Sequence, residues 1–356
     1  MAERARQTVF PRKDAVEIEE FDVPELKDDQ VLVKTCATLI STGTELAYMM
    51  GITKQIQMGQ HKYPIRSGYS AAGTVLATGK AVTEVKEGDR VCTAGRHATL
   101  HIADRRDVLR IPDGVSFEES TFHTLGATAM NGVRISRVVL GESAVVFGMG
   151  IVGQLALQIL RAAGAQTLVA VDLSDKRLEM AKEIGATAVA NPARTDLVAL
   201  VKELTGGEMA EVVIEATGNP KVFPVSLQVA ATLGRIVALG SPRGDTPPLD
   251  LYTDLHCRGL QLLGAHAAMH PQTASPHNKW TRVRNRQLFL DLVDKGRIRT
   301  APMITHRFPF DRAVEAFQLL VEDRTQAVGV ILEFDGSPKP RRRASRANLK
   351  GGRKRP

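Results

Sequence analysis

Residues 143–160 read Ser-Ala-Val-Val-Phe-Gly-Met-Gly-Ile-Val-Gly-Gln-Leu-Ala-Leu-Gln-Ile-Leu. An unbroken apolar run (143–147) passes through three glycines into a stretch with helical apolar spacing (152–163). A strand, a Gly-x-Gly-x-x-Gly turn and a helix in that order form the context in which such a turn binds a dinucleotide. Gly148 permits the tight turn, Gly150 lets backbone approach a pyrophosphate, and Gly153 lets helix pack on strand. Met149, Ile151 and Val152 complete the loop, whose free N–H groups at the helix start attract negative charge. Gln154, Gln158 and the glycines interrupt the apolar run, so it reads as a buried strand and helix and not a membrane span.

Nineteen residues beyond Gly153, Asp172 closes the next apolar segment, Thr-Leu-Val-Ala-Val-Asp-Leu (167–173). An acid at that strand end accepts hydrogen bonds from the ribose diol of NAD and repels the 2′-phosphate of NADP. The sequence therefore predicts NAD as cofactor. Further strands are expected at 211–217, 235–240 and 260–265, with helices at 152–164 and 174–185. Strands alternating with helices at this spacing indicate a doubly wound parallel sheet, the Rossmann arrangement.

Residues before about 125 have a different texture. The segments 31–40, 68–79 and 87–95 are β-branched or glycine-bearing and are expected to form strands. After Ala265 a polar stretch (266–286) precedes a helix at 287–296, a strand at 304–310, a helix at 311–323 and a closing strand at 327–334. The fold class expected is α/β, with a β-rich module beside a parallel-sheet domain.

Several short segments, in order, resemble the medium-chain dehydrogenase/reductase family over roughly residues 8 to 335. They are Gly68-Tyr69-Ser70-Ala71-Ala72-Gly73, then Glu87-Gly88-Asp89-Arg90-Val91, the glycine turn at 148–153, and Pro302–Phe310 with the helix at 313–320. The resemblance implies a GroES-like catalytic domain over 1–125, a Rossmann domain over 126–267 and a return to the catalytic domain over 268–335. It further implies a small-molecule substrate and a homodimer. Arg177 matches a basic residue near the adenosine ribose, and Thr128 a threonine facing the nicotinamide. The strand ends Ala216-Thr217-Gly218, Leu239-Gly240 and Gly264-Ala265 match positions that line the cofactor.

Zinc members of that family hold a catalytic metal with a Cys, a His and a further Cys or Glu. The corresponding positions here carry Thr42, Tyr69 and, near the third ligand, Thr124, and Ser70 replaces the glutamate that follows the histidine. The four-cysteine structural lobe is missing between Arg96 and Pro112 as well. No metal is expected, including at His266 and His270, which are four residues apart with no acid nearby. Hydride transfer then needs another group to manage the proton on the substrate oxygen. Tyr69 or His123 is the expected donor, with Thr44 and Glu45 as a relay or in positioning roles.

The polar stretch 266–286 carries three histidines, Arg282, Arg284, Arg286 and the only tryptophan, Trp280. Together with Arg66 it suits a hydroxyl-rich or anionic substrate, such as a sugar, cyclitol or polyol alcohol, better than a long-chain alcohol. A quinone or activated-alkene reductase is the alternative, although Asp172 disfavours the NADPH that such reactions often use. A third reading is a nucleic-acid-binding protein acting through residues 337–356. That stretch holds nine Lys and Arg and no acid, which is more than the whole net charge of +8. It is expected to be a disordered basic tail (336–356), able to make weak, salt-sensitive anionic contacts. The three cysteines are scattered and the first twenty residues lack the apolar core of a signal peptide, so a cytoplasmic location is expected.

Overall fold

The computed structural model describes residues 4–271, 273–323 and 325–335. The expected basic tail lies outside the described residues. The chain opens with β1 (Arg4–Phe10), β2 (Glu17–Asp22) and β3 (Gln30–Leu39), followed by α1 (Thr44–Met49) and α2 (Lys54–Gln57). Next come β4 (Ile65–Arg66), β5 (Ala71–Thr78), β6 (Arg90–Thr93), β7 (Leu100–Asp104) and β8 (Leu109–Arg110). A short helix, α3 (Phe117–Ser120), then leads into α4 (His123–Ser136).

The alternating region follows with β9 (Ala144–Phe147), α5 (Ile151–Ala163), β10 (Leu168–Val171), α6 (Asp175–Ile184) and β11 (Ala188–Ala190). It continues through α7 (Leu197–Leu204), β12 (Ala210–Glu215), α8 (Phe223–Gln228), β13 (Ala230–Ala238) and β14 (Gln261–Gly264). Its six strands form one sheet in the order β11-β10-β9-β12-β13-β14, with every pair parallel. All residues of β9 and β10 are buried, as expected where helices cover both faces of a parallel sheet. The strand order reverses between β9 and β12, the switch point at which such sheets bind ligands.

The rest of the chain is α9 (Arg282–Asp294), β15 (Ile304–Pro309), α10 (Ala313–Glu322) and β16 (Gly329–Glu333). β16 pairs antiparallel with β3, so the end of the chain completes the sheet that its beginning started. That sheet runs β15-β16-β3-β5-β6-β8, with β7 also on β3. This is the expected pairing of a β-rich module with a parallel-sheet domain.

Three elements of the parallel-sheet domain, β11, α7 and α8, were not among those expected. Helix α9 also begins at Arg282, five residues before the predicted start at Gln287. Thr281 caps it, its hydroxyl accepting from Arg284 N at 3.3 Å. One apolar cluster joins the two sheets through α4, running from Leu39 and Cys92 past Phe122, Leu125 and Met130 to Val146, Leu155 and Ile214. Among the described residues no helix is long and apolar enough to cross a membrane.

Arg286, only 1% exposed, locks α9 onto this body. Its Nε donates to His123 Nδ1 at 2.8 Å, its Nη2 to the Asp107 carbonyl at 2.9 Å, and its Nη1 to the Asp107 carboxylate. Removing one partner of a buried charged network strands the others without compensation. Arg286→Ala should therefore destabilise the protein by about 3 kcal/mol or more, read as a lower midpoint in chemical unfolding. An unchanged midpoint would show that the network adds nothing to stability.

Candidate active site

The glycine turn lies at the carboxyl end of β9. Gly148 has φ of +88°, a region side chains rarely enter, and a Cβ there would lie 2.8 Å from Thr217 Cγ2. A Cβ on Gly153 would lie 1.7 Å from the Gly148 carbonyl oxygen. Gly150 is the N-cap of α5, and the position of its missing Cβ faces open space. A ligand phosphate can therefore approach the start of α5 without meeting a side chain from that residue.

Asp172 holds this turn from the next strand. Its Oδ2 accepts from Met149 N at 2.6 Å and its Oδ1 from Ser174 N at 2.8 Å. Arg177 Nη1 stands 3.9 Å from Asp172 Oδ2, and Arg177 Nη2 donates to the Ala327 carbonyl. The ends of β12 and β13 meet beside the turn. Glu215, fully buried, accepts from Thr217 N at 2.7 Å and Gly218 N at 3.2 Å, and burial pushes its pKa up. The Glu215 carbonyl accepts from Leu239 N and Gly240 N, and Ala265 N reaches the Ala238 carbonyl at the end of β14. Thus Ala216-Thr217-Gly218, Leu239-Gly240 and Gly264-Ala265 share one edge of the sheet with the glycine turn. Across the cleft, Arg243 Nη2 donates to the Gly43 carbonyl at 2.7 Å.

A second cluster forms in the β-rich module. The Tyr69 O–H donates to Ser41 Oγ at 2.5 Å. Burial, and then the Glu45 charge, push the Tyr69 phenol up to about 12, while the Ser41 and Thr44 hydroxyls and the Arg282 charge oppose the rise. Glu45 is 3% exposed, and its Oε1 accepts from Ser41 N at 2.8 Å. Its Oε2 lies 2.9 Å from His97 Nε2, and His97 Nδ1 lies 2.7 Å from Thr38 Oγ1. A buried Glu–His pair thus stands behind the phenol. The sequence reading missed His97, which lies in a turn 52 residues from Glu45 and belongs to no local motif.

His123, the other expected proton donor, sits elsewhere in the hydrogen-bond scheme. Its Nε2–H donates to the Thr93 carbonyl at 3.1 Å, and its Nδ1 accepts from Arg286. Burial, and then the Arg286 charge, hold its pKa well below the usual histidine range. Both nitrogens are engaged and the ring is neutral, so it has no proton free for a substrate. Thr124 Oγ1 donates to the Tyr69 carbonyl at 3.1 Å, and Thr128 Oγ1 to the Thr124 carbonyl at 3.2 Å, one turn along α4. Arg66, expected to favour an anionic substrate, instead pairs with Glu19 at 3.0 Å on the surface. His266 caps a short turn, and His270 faces the Ala267 and Ala127 carbonyls.

The side chains at the positions that the resemblance assigns to zinc ligands do not suit that metal. Thr42, Tyr69, Ser70 and Thr124 offer neutral hydroxyls where zinc takes thiolate, imidazole or carboxylate. Three of these hydroxyls already donate within the protein, Ser70 to the Thr121 carbonyl, Tyr69 to Ser41 and Thr124 to Tyr69. Among the described residues no group of three His, Cys, Asp or Glu is placed to hold a metal ion.

Comparison with known proteins agrees with this layout. The model of the alcohol dehydrogenase GroES-like domain matches residues 27–116, and that of the zinc-binding dehydrogenase matches residues 152–280. An L-threonine 3-dehydrogenase of Symbiobacterium thermophilum is 30% identical over 338 residues, covering 85% of this chain and 90% of that protein. A D-guloside 3-dehydrogenase of Escherichia coli is 26% identical over 73% of this chain and 74% of its own length. The crystal structure of 2R,3R-butanediol dehydrogenase from Bacillus subtilis superposes with a TM-score of 0.78 at 22% identity, covering 92% of this chain and 99% of that one. From the matched domains, their order and a relative spanning almost the full length, the chain belongs to the medium-chain dehydrogenase/reductase family, of the zinc-type alcohol dehydrogenase kind.

Proposed function

We propose that this chain transfers a hydride between NAD(H) and a polar secondary alcohol or ketone, without zinc, and that Tyr69 manages the proton on the substrate oxygen. The observation that carries the reading is the Tyr69 phenol, hydrogen-bonded to Ser41 in a cluster with Thr44 and the buried Glu45, at the position that the resemblance gives to a zinc-binding histidine. In ketone reduction the Tyr69 O–H turns from Ser41 Oγ to the oxygen that gains charge and gives it the proton, and the phenolate left behind accepts from the Ser41 hydroxyl instead. The Ser41 and Thr44 hydroxyls hydrogen-bond to that phenol, and Glu45, paired with His97, accepts from Ser41 N. In alcohol oxidation the proton runs the other way, from substrate oxygen to Tyr69.

The cofactor cradle fits NAD. The open N-terminus of α5 suits a pyrophosphate, and Asp172 retains lone pairs for a ribose diol beyond the two backbone bonds it accepts. When bound, NAD supplies the hydride acceptor for the alcohol carbon. Relatives named for threonine, guloside and butanediol oxidation support a hydroxyl-bearing substrate for this chain too.

Protein treated with a chelator and given NAD with a pool of polyols, sugars and cyclitols should form NADH. Turnover that appears only on adding zinc would overturn the zinc-free reading. Tyr69→Phe should lower kcat by roughly a hundredfold or more, the usual contribution of a general acid or base, with the KM for NAD little changed. Because the folded pKa is raised to about 12, the phenol keeps its proton below that pH and loses it only above. Ketone reduction should therefore be insensitive to pH between 7 and 10, and alcohol oxidation should rise by about one decade per pH unit. A plateau in oxidation near neutrality, retained in Tyr69→Phe, would assign the proton to another group.

Asp172→Ser removes the acid proposed to hold the ribose. A hydrogen bond to a charged group contributes about 1.5–3 kcal/mol, so kcat/KM for NAD should fall by roughly tenfold or more relative to NADP. An unchanged NAD/NADP ratio would show that Asp172 serves only to brace the turn.

A further inference from the structure

His97 is fully buried and touches both chain segments that build the Tyr69 cluster. On one side it meets the segment that carries the phenol. Its backbone N–H donates to the Ser67 carbonyl at 3.1 Å, and a Cβ on Gly68 would lie 2.3 Å from His97 N and 2.9 Å from His97 Cγ. Gly68 has φ of +93°, so residues 67–69 come this close to the histidine only because residue 68 has no side chain. Thr8 N donates to the His97 carbonyl at 3.0 Å and ties the residue to β1 as well.

On the other side, the His97 ring faces the turn that carries the phenol's partner. Tyr69 donates to Ser41 Oγ, and Ser41 N donates to Glu45 Oε1 at 2.8 Å. Glu45 N donates in turn to the Ser41 carbonyl at 3.0 Å, which closes residues 41–45 into a ring. Gly43, the N-cap of α1, has no side chain to cap the helix, so the Glu45 carboxylate is what holds the Ser41 N–H. Its second oxygen lies 2.9 Å from His97 Nε2, and an ionised carboxylate only accepts, so the ring donates there. His97 Nδ1 meets Thr38 Oγ1 at 2.7 Å in β3, and the Phe317 ring of α10 lies edge-on at 6.3 Å. With both nitrogens engaged, the ring cannot turn without losing two buried hydrogen bonds, which are costly to leave unmade.

We propose that His97 is the positioning residue of the site: it holds the Glu45 carboxylate on Ser41 while its backbone packs against Gly68, and so sets the distance between Ser41 Oγ and the Tyr69 phenol. This rests on the reading of Tyr69 as the group that manages the substrate proton. Sealed from solvent, His97 acts through Glu45 and Ser41 and does not itself meet the substrate.

The chain holds four tyrosines, so tyrosine labelled with carbon-13 at the carbon bearing the hydroxyl gives four NMR signals, and the one missing in Tyr69→Phe belongs to Tyr69. That signal follows the hydrogen bonding of the phenol whether or not the protein turns over. His97→Leu, which cannot donate to Glu45, should shift it. His97→Gln, whose amide N–H can donate, should bring it back toward its original position. With an alcohol from the pool that yields NADH, His97→Leu should lower kcat by roughly tenfold to a hundredfold, the scale on which a misplaced reacting group is felt, with the KM for NAD little changed. In Tyr69→Phe the same substitution should lower kcat no further, because residues that act as one unit are not additive. His97→Asn, whose shorter amide reaches toward Thr38 but not Glu45, takes the place of His97→Leu should leucine prevent folding. An unmoved Tyr69 signal, or an equal further fall of kcat in Tyr69→Phe, overturns the proposal. A shifted signal with turnover intact in Tyr69→Phe would leave the hold of His97 on the phenol standing and count against Tyr69 as the proton donor.

Discussion

A side-chain carbon on residue 153 would sit 1.7 Å from the carbonyl oxygen of Gly148, so α5 can leave β9 at this angle only because residue 153 has none. That close approach brings the first free N–H groups of α5 over the end of the central strand. It also places Met149 N where Asp172, at the end of the neighbouring strand, can accept its proton. The ends of β12 and β13 close against the same turn, with Thr217 beside Gly148 and Gly240 against Gly218. Larger residues at these positions would separate the strand ends and dissolve the crevice they form. The parallel sheet supplies the rigidity, and these contacts turn its edge into a cradle.

The second half of the site faces a different physical problem. A metal ion would stabilise charge on a substrate oxygen, but the side chains at the positions that the resemblance assigns to its ligands are neutral hydroxyls. Nearby Glu45 and burial both favour the protonated phenol of Tyr69. The raised pKa keeps the proposed donor protonated at neutral pH, and low-dielectric surroundings strengthen a hydrogen bond from it to a developing alkoxide. If Tyr69 is the donor proposed above, reduction is favoured near neutral pH and oxidation depends on alkalinity. Glu45 and His97, sealed from solvent, are the buried pair that this design tolerates because each satisfies the other.

What could be read from the sequence divides along the same line. The glycine turn and Asp172 were legible because their spacing is local and each glycine answers to a steric demand, whereas the strand ends were marked by the family resemblance. Tyr69, Thr44 and Glu45 came from the order of motifs. His97 was not singled out, because its partner lies 52 residues away, and Arg286 was expected to favour a polar or anionic substrate but is buried against His123, 163 residues away, and Asp107. His123 was expected as a donor from its position, but a histidine's role depends on what meets its two nitrogens. The strand β11 and helices α7 and α8 are short, so their patterns were too brief to stand out. The start of α9 was missed because its first turn is arginine-rich and shows no apolar stripe.

The two halves must also be held at a fixed separation, and backbone hydrogen bonds do much of this. Arg177, beside Asp172, donates to the Ala327 carbonyl, and Ser174 Oγ donates to the Thr325 carbonyl. Two residues after Ala327 the chain enters β16, whose Ile331 pairs with Leu39 of β3, and Ile40 N donates to the Val330 carbonyl. Ser41 follows directly, and Tyr69 donates to it. A path of a few residues therefore links the acid proposed to hold the cofactor ribose to the phenol proposed to hold the substrate proton. The middle of this path is backbone, and side chains join it to Asp172 at one end and to Tyr69 at the other, so the fold sets most of the distance between the cofactor cradle and the proton site. This explains why the last strand of the chain returns to the first sheet: it carries the geometry of one half of the site into the other.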